Sequence, residues 1–402
     1  MQKLYVEFIY LVYFSSFFLT LKEEREDSGR CIDDCTRTSV NVVFMRHSIF
    51  SVIIAGIAVM TLGQPADACT GITLKSSDGS IVMARTIEWA LNDNHNRYVV
   101  VPRGYTWTSM TPDGSQGQTF SGIYGFVGLA VEQAEFIVEG LNETGLSAGL
   151  FYFPGYGLYE DFDHENQKRN IADLQLVSYI LGKCRSIDDV IYEVGQICIH
   201  NVDPRASTAH WRFGEPGGRQ VVLEIIGGKC VFYENKLGVL TNSPSFDWHI
   251  TNLNNYVNLK SGAVSFSRVG QLEMHSFGGG SGMSGLPGDF TPTSRFVRAA
   301  FFQSTAPILS NTEETIFQAF HILNNFDLPI GIQTAAGDTI PNIPSATQWT
   351  SATDLSGLKI YFKTMYDNTI RCIDLKHINF AKIKLIDEPM DMAHRQPVKM
   401  LL

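Results

Sequence analysis

Residues 63–89 read GQPADACTGITLKSSDGSIVMARTIEW, and the reading of the whole chain turns on where this stretch is cut. Its first part ends in Ala66-Asp67-Ala68, a small-x-small pattern of the kind a signal peptidase cleaves. The next part alternates and is rich in β-branched residues (TGITLKS), passes through Asp78-Gly79, a two-residue hairpin signal, and continues as a second strand, SIVMARTIEW. Cys69 stands at the join. Counted back from the turn, the strand end bearing Cys69 lies opposite the one bearing Arg85 to Glu88. Cross-strand neighbours sit about 5 Å apart, so an arginine and a carboxylate can reach the residue after the cut.

The sequence before the cut supports it. Residues 45–68, MRHSIFSVIIAGIAVMTLGQPADA, carry Arg46 and His47 as a basic start, an apolar core from Ile49 to Leu62, and the small-x-small end, which together make a complete secretory signal. It opens on Met45, so residues 1–44 read as an upstream extension absent from the mature protein. The run Leu4–Leu21 is a poorer membrane anchor, because Glu7 lies inside a barely sufficient span. These readings predict a secreted or periplasmic protein, with residues 69–402 as one domain.

Composition narrows the class. The chain has 402 residues, 18% of them charged, and a net charge of -10, without long Lys/Arg runs, so no footprint for nucleic acid or an anionic membrane is present. The first 68 residues hold eight acidic and six basic residues, and the remainder stays acidic. None of the ten histidines shows metal-ligand spacing, and Cys184, Cys198, Cys230 and Cys372 form no zinc pattern. The Gly-rich stretch 277–289 lacks the ending of a phosphate loop and reads as a flexible loop near the site.

A cysteine directly after a signal has three readings: a structural residue in an oxidising compartment, a lipid-anchored residue, or an N-terminal nucleophile whose own freed α-amine is the base. Ala66 and Asp67 fit a lipidation signal poorly. The chemistry of the third reading is coherent, since an α-amine and a thiol titrate near about 8 and 8.5 and nearby positive charge favours both free amine and thiolate. Arg85 supplies such charge, and Glu88 can accept a hydrogen bond from the amine.

Five ordered blocks then carry a resemblance: Cys69 itself, ARTIEW (84–89), NETGLSAGLFYFPGYG (142–157), LGVLTNSPSFDWH (237–249) and LPGDFTPTSRFVRAA (286–300). Together they resemble the choloylglycine hydrolase and penicillin V acylase family of N-terminal nucleophile amidases, over essentially all of residues 69–402. The resemblance implies Cys69 as nucleophile, Arg85 as support for its thiolate, and Glu88 at the position that binds the α-amine, where an aspartate is usual. It also implies an oxyanion hole from the Tyr152 backbone N–H and the Asn242 side chain, with Arg295 as a second site arginine. Each residue has a plainer reading: Asn242 as a turn residue, Tyr152 as core between Phe151 and Phe153, Arg295 as one stripe of a helix with Arg298. The joint pattern favours the site.

The implied fold is α+β, a four-layer αββα sandwich, with no cofactor and no metal. Strand-like runs at RYVVV, FVGLAV, HWRFGE, RQVVLEII, KCVFYEN, QWTSATDL, KIYFKTMY and IRCIDL, flanked by helical runs at IADLQLVSYIL, SIDDVIYEV, TSRFVRAAFF and NTEETIFQAFHIL, agree with it. Asn311 and Glu314 have capping-box spacing. The segment TNLNNYVNLKSGAVSF (251–266) resembles the region that packs subunits in relatives, which implies a homotetramer. The expected partner is a small amide with an apolar or aromatic acyl group, with Trp89, Phe151, Tyr152 and Phe153 as candidate pocket walls. The rival reading is a lipid-anchored, catalytically inactive binding protein on the same fold.

Overall fold

In the computed structural model the described residues are 68–89, 93–163, 165–202, 208–337, 339 and 346–402. The expected upstream extension, the Leu4–Leu21 run and the expected secretory signal lie outside them, apart from Ala68.

The opening hairpin builds the first sheet. Ala68–Lys75 pairs antiparallel with Ile81–Glu88, which pairs with Thr347–Asp354, then Lys359–Thr364 and Arg371–Asp374. Ile81–Glu88 and Thr347–Asp354 are buried along their whole length, as expected of strands covered on both faces. The second sheet has eight antiparallel strands in the order Lys229–Glu234, Gln220–Ile226, Ala209–Gly214, Ser147–Tyr152, Ile137–Asn142, Phe126–Ala130, Arg97–Val101 and Ile386–Pro389.

Alternation divides each strand between two cores. In Ala209–Gly214, Ala209, Trp211 and Phe213 join the core under the helices Leu176–Lys183 and Ile187–Val194. His210 and Arg212 point the other way, and Arg212 donates to the Ile72 carbonyl of the first sheet at 3.1 Å. The core between the sheets joins Met83, Ile87 and Trp349 to Val100, Val127, Leu129 and Val222, while Ile72, Val82 and Ala84 on the other face pack toward the outer helices. On the outer face of the first sheet lie Pro292–Thr305 and Thr312–Leu323. The layers run helix, sheet, sheet, helix: the αββα sandwich.

Two local expectations are corrected. The hairpin loop is five residues long, not two, because Ser76 N–H closes on Ser80 O and Asp78 accepts from Ser76 Oγ and Ser80 N–H, while Gly79 takes φ +90°. This shifts the register by one: Cys69 faces Ile87 and Gly71 faces Arg85, where a two-residue turn would have set Cys69 against Glu88. The helix expected from Ile171 begins at Leu176, since Asn170–Ala172 is instead a short parallel strand beside Cys198–His200. Asn311 does cap its helix, accepting from Glu314 N–H, but the Glu314 carboxylate accepts from Ser310 rather than closing the box.

Candidate active site

Strand register decides which groups meet Cys69. Directly opposed residues of an antiparallel pair share a face, so Cys69, Ile87, Gly71 and Arg85 all point toward the second sheet. Arg85 Nη2 donates to Cys69 Sγ at 2.9 Å. The rest of the guanidinium is held rigidly: Nη1 donates to Val138 O at 3.0 Å and Leu150 O at 2.6 Å, Nε donates to Thr86 O, and the plane lies 4.0 Å from the Phe151 ring centroid. Glu139 supplies its counter-charge at 3.6 Å. Gly71 leaves the room this needs, since a Cβ there would stand 2.7 Å from Arg212 Nη1 and 2.9 Å from Phe151 Cζ.

Asn242 closes the other side. Its Oδ1 accepts from Cys69 N–H at 2.9 Å and from Arg295 Nη2 at 2.7 Å, while its Nδ2 donates to Tyr152 O at 2.8 Å. Two donors on one atom and an acceptor on the other fix which way the amide points. Arg295 projects from the helix Pro292–Thr305, whose start is fixed by Pro292 and by Thr291, which accepts from Ser294 N–H. Besides Asn242 it binds Cys69 O, Thr70 Oγ1 and Phe290 O. The Gly-rich stretch ends here: Arg298 ties down the carbonyls of Pro287 and Asp289 just before Phe290.

Charge and burial compete at the sulfur. Burial pushes the Cys69 thiol above its ordinary value; the charge of Arg85, a hydrogen bond from the Tyr152 backbone N–H and the charge of Arg295 pull it back, while Glu88 adds to the rise. Glu88 pairs with Ala68 across the ladder and so lies on the other face, with Thr70 and Arg295. Burial raises its carboxyl to about 7 against the pull of Arg295, the neighbouring Thr86 hydroxyl and Arg85. Neither Glu88 oxygen makes a well-formed hydrogen bond among the described residues.

All six residues singled out from the sequence therefore converge: Cys69, Arg85, Tyr152, Asn242 and Arg295 in direct contact, and Glu88 at the rung before. Two of the four candidate pocket walls are closed off from solvent. Phe151 lies under Arg85 and Phe153 stacks on His210 with centroids 4.4 Å apart, both fully buried, whereas Trp89 and Tyr152 keep partial exposure. Sequence reasoning missed Glu139, Arg212, His210, Glu224 and His249, all nearly or fully buried around the site. A signal for three existed, because Glu139, Arg212 and Glu224 are single charges inside otherwise apolar strands and such charges require partners.

A family model for linear amide C–N hydrolases, choloylglycine hydrolase family, matches residues 69–391, beginning at Cys69. The chain belongs to the choloylglycine hydrolase family. Bile salt hydrolase/transferase from Clostridium perfringens (strain 13 / Type A) is 30% identical over 321 residues, spanning 77% of this chain and 93% of that protein. The crystal structure of a variant of conjugated bile acid hydrolase from Clostridium perfringens superposes with a TM-score of 0.71 at 26% identity, covering 83% of this chain and 100% of the other. Penicillin V acylase from Agrobacterium tumefaciens shares the fold, with a TM-score of 0.64 at 22% identity over 79% of this chain and 90% of its own. As a choloylglycine hydrolase family member the protein is a hydrolase of linear amide bonds.

Proposed function

We propose that the mature protein begins at Cys69 and hydrolyses small amides through a thioester on that residue. The observation that carries the reading is the Arg85–Cys69–Asn242 arrangement at the first residue of the family match.

The cycle follows from the groups present. Removal of Ala68 frees the Cys69 α-amine beside Asn242 Oδ1 and places its charge next to Glu88, which makes no well-formed hydrogen bond among the described residues. The amine takes the thiol proton, and the thiolate held by Arg85 attacks the substrate carbonyl carbon. Negative charge develops on the carbonyl oxygen, where the Tyr152 N–H and the second Asn242 Nδ2 hydrogen act as donors, each worth roughly 3 kcal/mol in acyl transfer. The C–N bond breaks as the α-ammonium returns its proton to the leaving nitrogen. Water, deprotonated by the same amine, then attacks the thioester; the C–S bond breaks, the acid leaves and the thiol is restored.

The substrate class proposed is an amide with an apolar or aromatic acyl group, conjugated bile salt or penicillin V, which are the chemistries named for the relatives. Export through the residue 45–68 signal places the enzyme in the periplasm or outside the cell. Assembly as a homotetramer is supported by apolar side chains exposed from Val257 to Phe277, with Val257 90%, Leu272 66% and Phe277 fully exposed. Turnover of a panel holding glycodeoxycholate, penicillin V and long-chain acyl homoserine lactones, with light scattering on the same preparation, tests the substrate and assembly readings.

A further inference from the structure

The segment carrying Asn242 is held by its backbone carbonyls. Leu240 exchanges both hydrogen bonds with Gly71, at 2.7 and 3.1 Å. The next carbonyl, Thr241 O, lies 3.1 Å from His210 Nε2, and the one after, Asn242 O, lies 2.8 Å from His249 Nε2. A carbonyl oxygen accepts, so both ring nitrogens donate. Three consecutive carbonyls thus each take a hydrogen bond from a buried donor.

Neither histidine is placed cheaply. His249 is fully buried, stacks on Phe296 with centroids 4.5 Å apart, and leaves Nδ1 without a hydrogen-bond partner among the described residues. Burial pushes its protonation down to about 4, so the neutral Nε2–H tautomer stands at neutral pH. His210 Nδ1 faces Glu224 Oε1 at 3.1 Å, and Glu224 Oε1 also accepts from Phe246 N–H. The Glu224 carboxyl at Nδ1 and the Thr241 carbonyl at Nε2 together fix the orientation of the His210 ring, with Nε2–H directed at Thr241 O. A core that only needed filling would be better served by apolar rings at both sites.

We propose that His249, backed by the Glu224–His210 pair, is a positioning residue that aims the Asn242 amide at the reacting carbonyl. The inference rests on the amidase reading and names residues outside the set that touches substrate. Fixing two carbonyls in succession fixes the peptide plane from which the Asn242 side chain departs, and oxyanion donors lose effect when displaced by fractions of an ångström.

The test is a set of kinetic comparisons on the mature full-length protein with its best amide substrate from the panel. His249→Phe keeps a ring on Phe296 and deletes the donor; the expected result is kcat lower by tenfold or more, KM within twofold, and Cys69 alkylation by iodoacetamide within twofold of wild type. His249→Gln, whose amide nitrogen falls near Nε2, recovers most of kcat, whereas His249→Asn, too short to reach, does not. In an Asn242→Ala background His249→Phe costs less than twofold, because the residue acts through Asn242. If His249→Phe fails to fold, the Gln and Asn variants carry the comparison. Wild-type kcat in both His249→Phe and His249→Asn, or a full tenfold loss added to that of Asn242→Ala, overturns the proposal while leaving the amidase reading standing. A wild-type protein that hydrolyses no amide overturns that reading and this inference with it.

Discussion

Arg85 reaches the Cys69 thiol at 2.9 Å because the two stand on the same face of one hairpin, two rungs apart. That shared face is set by a five-residue loop. With a register one residue different, Arg85 would point toward the outer helices and Glu88 would stand beside the sulfur.

Removing the Arg85 charge should therefore be felt at the sulfur before anything else. In Arg85→Met the opposing pull on a thiol already raised by burial is lost, and buried Glu139 loses one of its two cationic neighbours, Arg212 remaining. Iodoacetamide labelling of Cys69 at pH 7 is expected to slow tenfold or more, with its pH dependence displaced upward, and the melting temperature to fall. Labelling at the wild-type rate would disconnect Arg85 from the nucleophile.

Asn242→Ala deletes one oxyanion donor and also leaves Arg295 Nη2, Tyr152 O and the Cys69 N–H without this partner. Turnover on any good substrate is expected to drop by about a hundredfold to a thousandfold, with the melting temperature lowered but folding retained. Equal turnover would return Asn242 to a turn residue.

Glu88 gives a pH-dependent prediction of opposite sign in the two forms of the protein. With Ala68 still attached, its folded pKa of about 7 exceeds the ordinary 4.5. Between those values the folded chain holds more proton than the unfolded one, so stability present below pH 4.5 is lost as pH rises through 7 and is flat beyond. Glu88→Gln in an uncleavable Ala68-containing chain should remove that slope and leave the protein more stable at pH 8, by a few kcal/mol at most (about 1.4 kcal/mol per pKa unit). In the mature protein the same change should lower activity, because the α-ammonium loses its counter-charge and keeps only neutral acceptors. Urea titrations at pH 4 and pH 8 beside kinetics of the mature variant check both halves.

Gly71→Ala tests the close approach between the sheets. The added methyl meets Arg212 and the Phe151 ring, and both are fixed. A loss of about 1–3 kcal/mol in urea unfolding is expected, together with weaker Cys69 reactivity as Phe151 is displaced against Arg85.

Much of this was legible in the chain. Alternation and turn residues marked most strands of both sheets, and the spacing of Cys69, Arg85 and Glu88 about one turn put three chemical groups at one strand end. Which face each took was not legible, because Asp78-Gly79 favours a two-residue turn locally while the Ser76 and Asp78 side chains stabilise the longer loop. Phe151 and Phe153 looked like pocket walls because sequence shows hydrophobicity and not direction; one lies under Arg85 and the other on His210. His249 and His210 were invisible as a pair, since only the fold brings them to consecutive carbonyls.

The central claim is that Cys69 works as the first residue, with its own α-amine as base. Hydrolysis of the best panel substrate should be compared for the mature form starting at Cys69, a form in which Ala68 is retained and cannot be cleaved, and mature Cys69→Ser. An amide nitrogen cannot accept a proton at neutral pH, so the account predicts full activity in the first, none in the second although it folds, and strongly reduced activity in the third. Full activity in the Ala68-retaining form would contradict it.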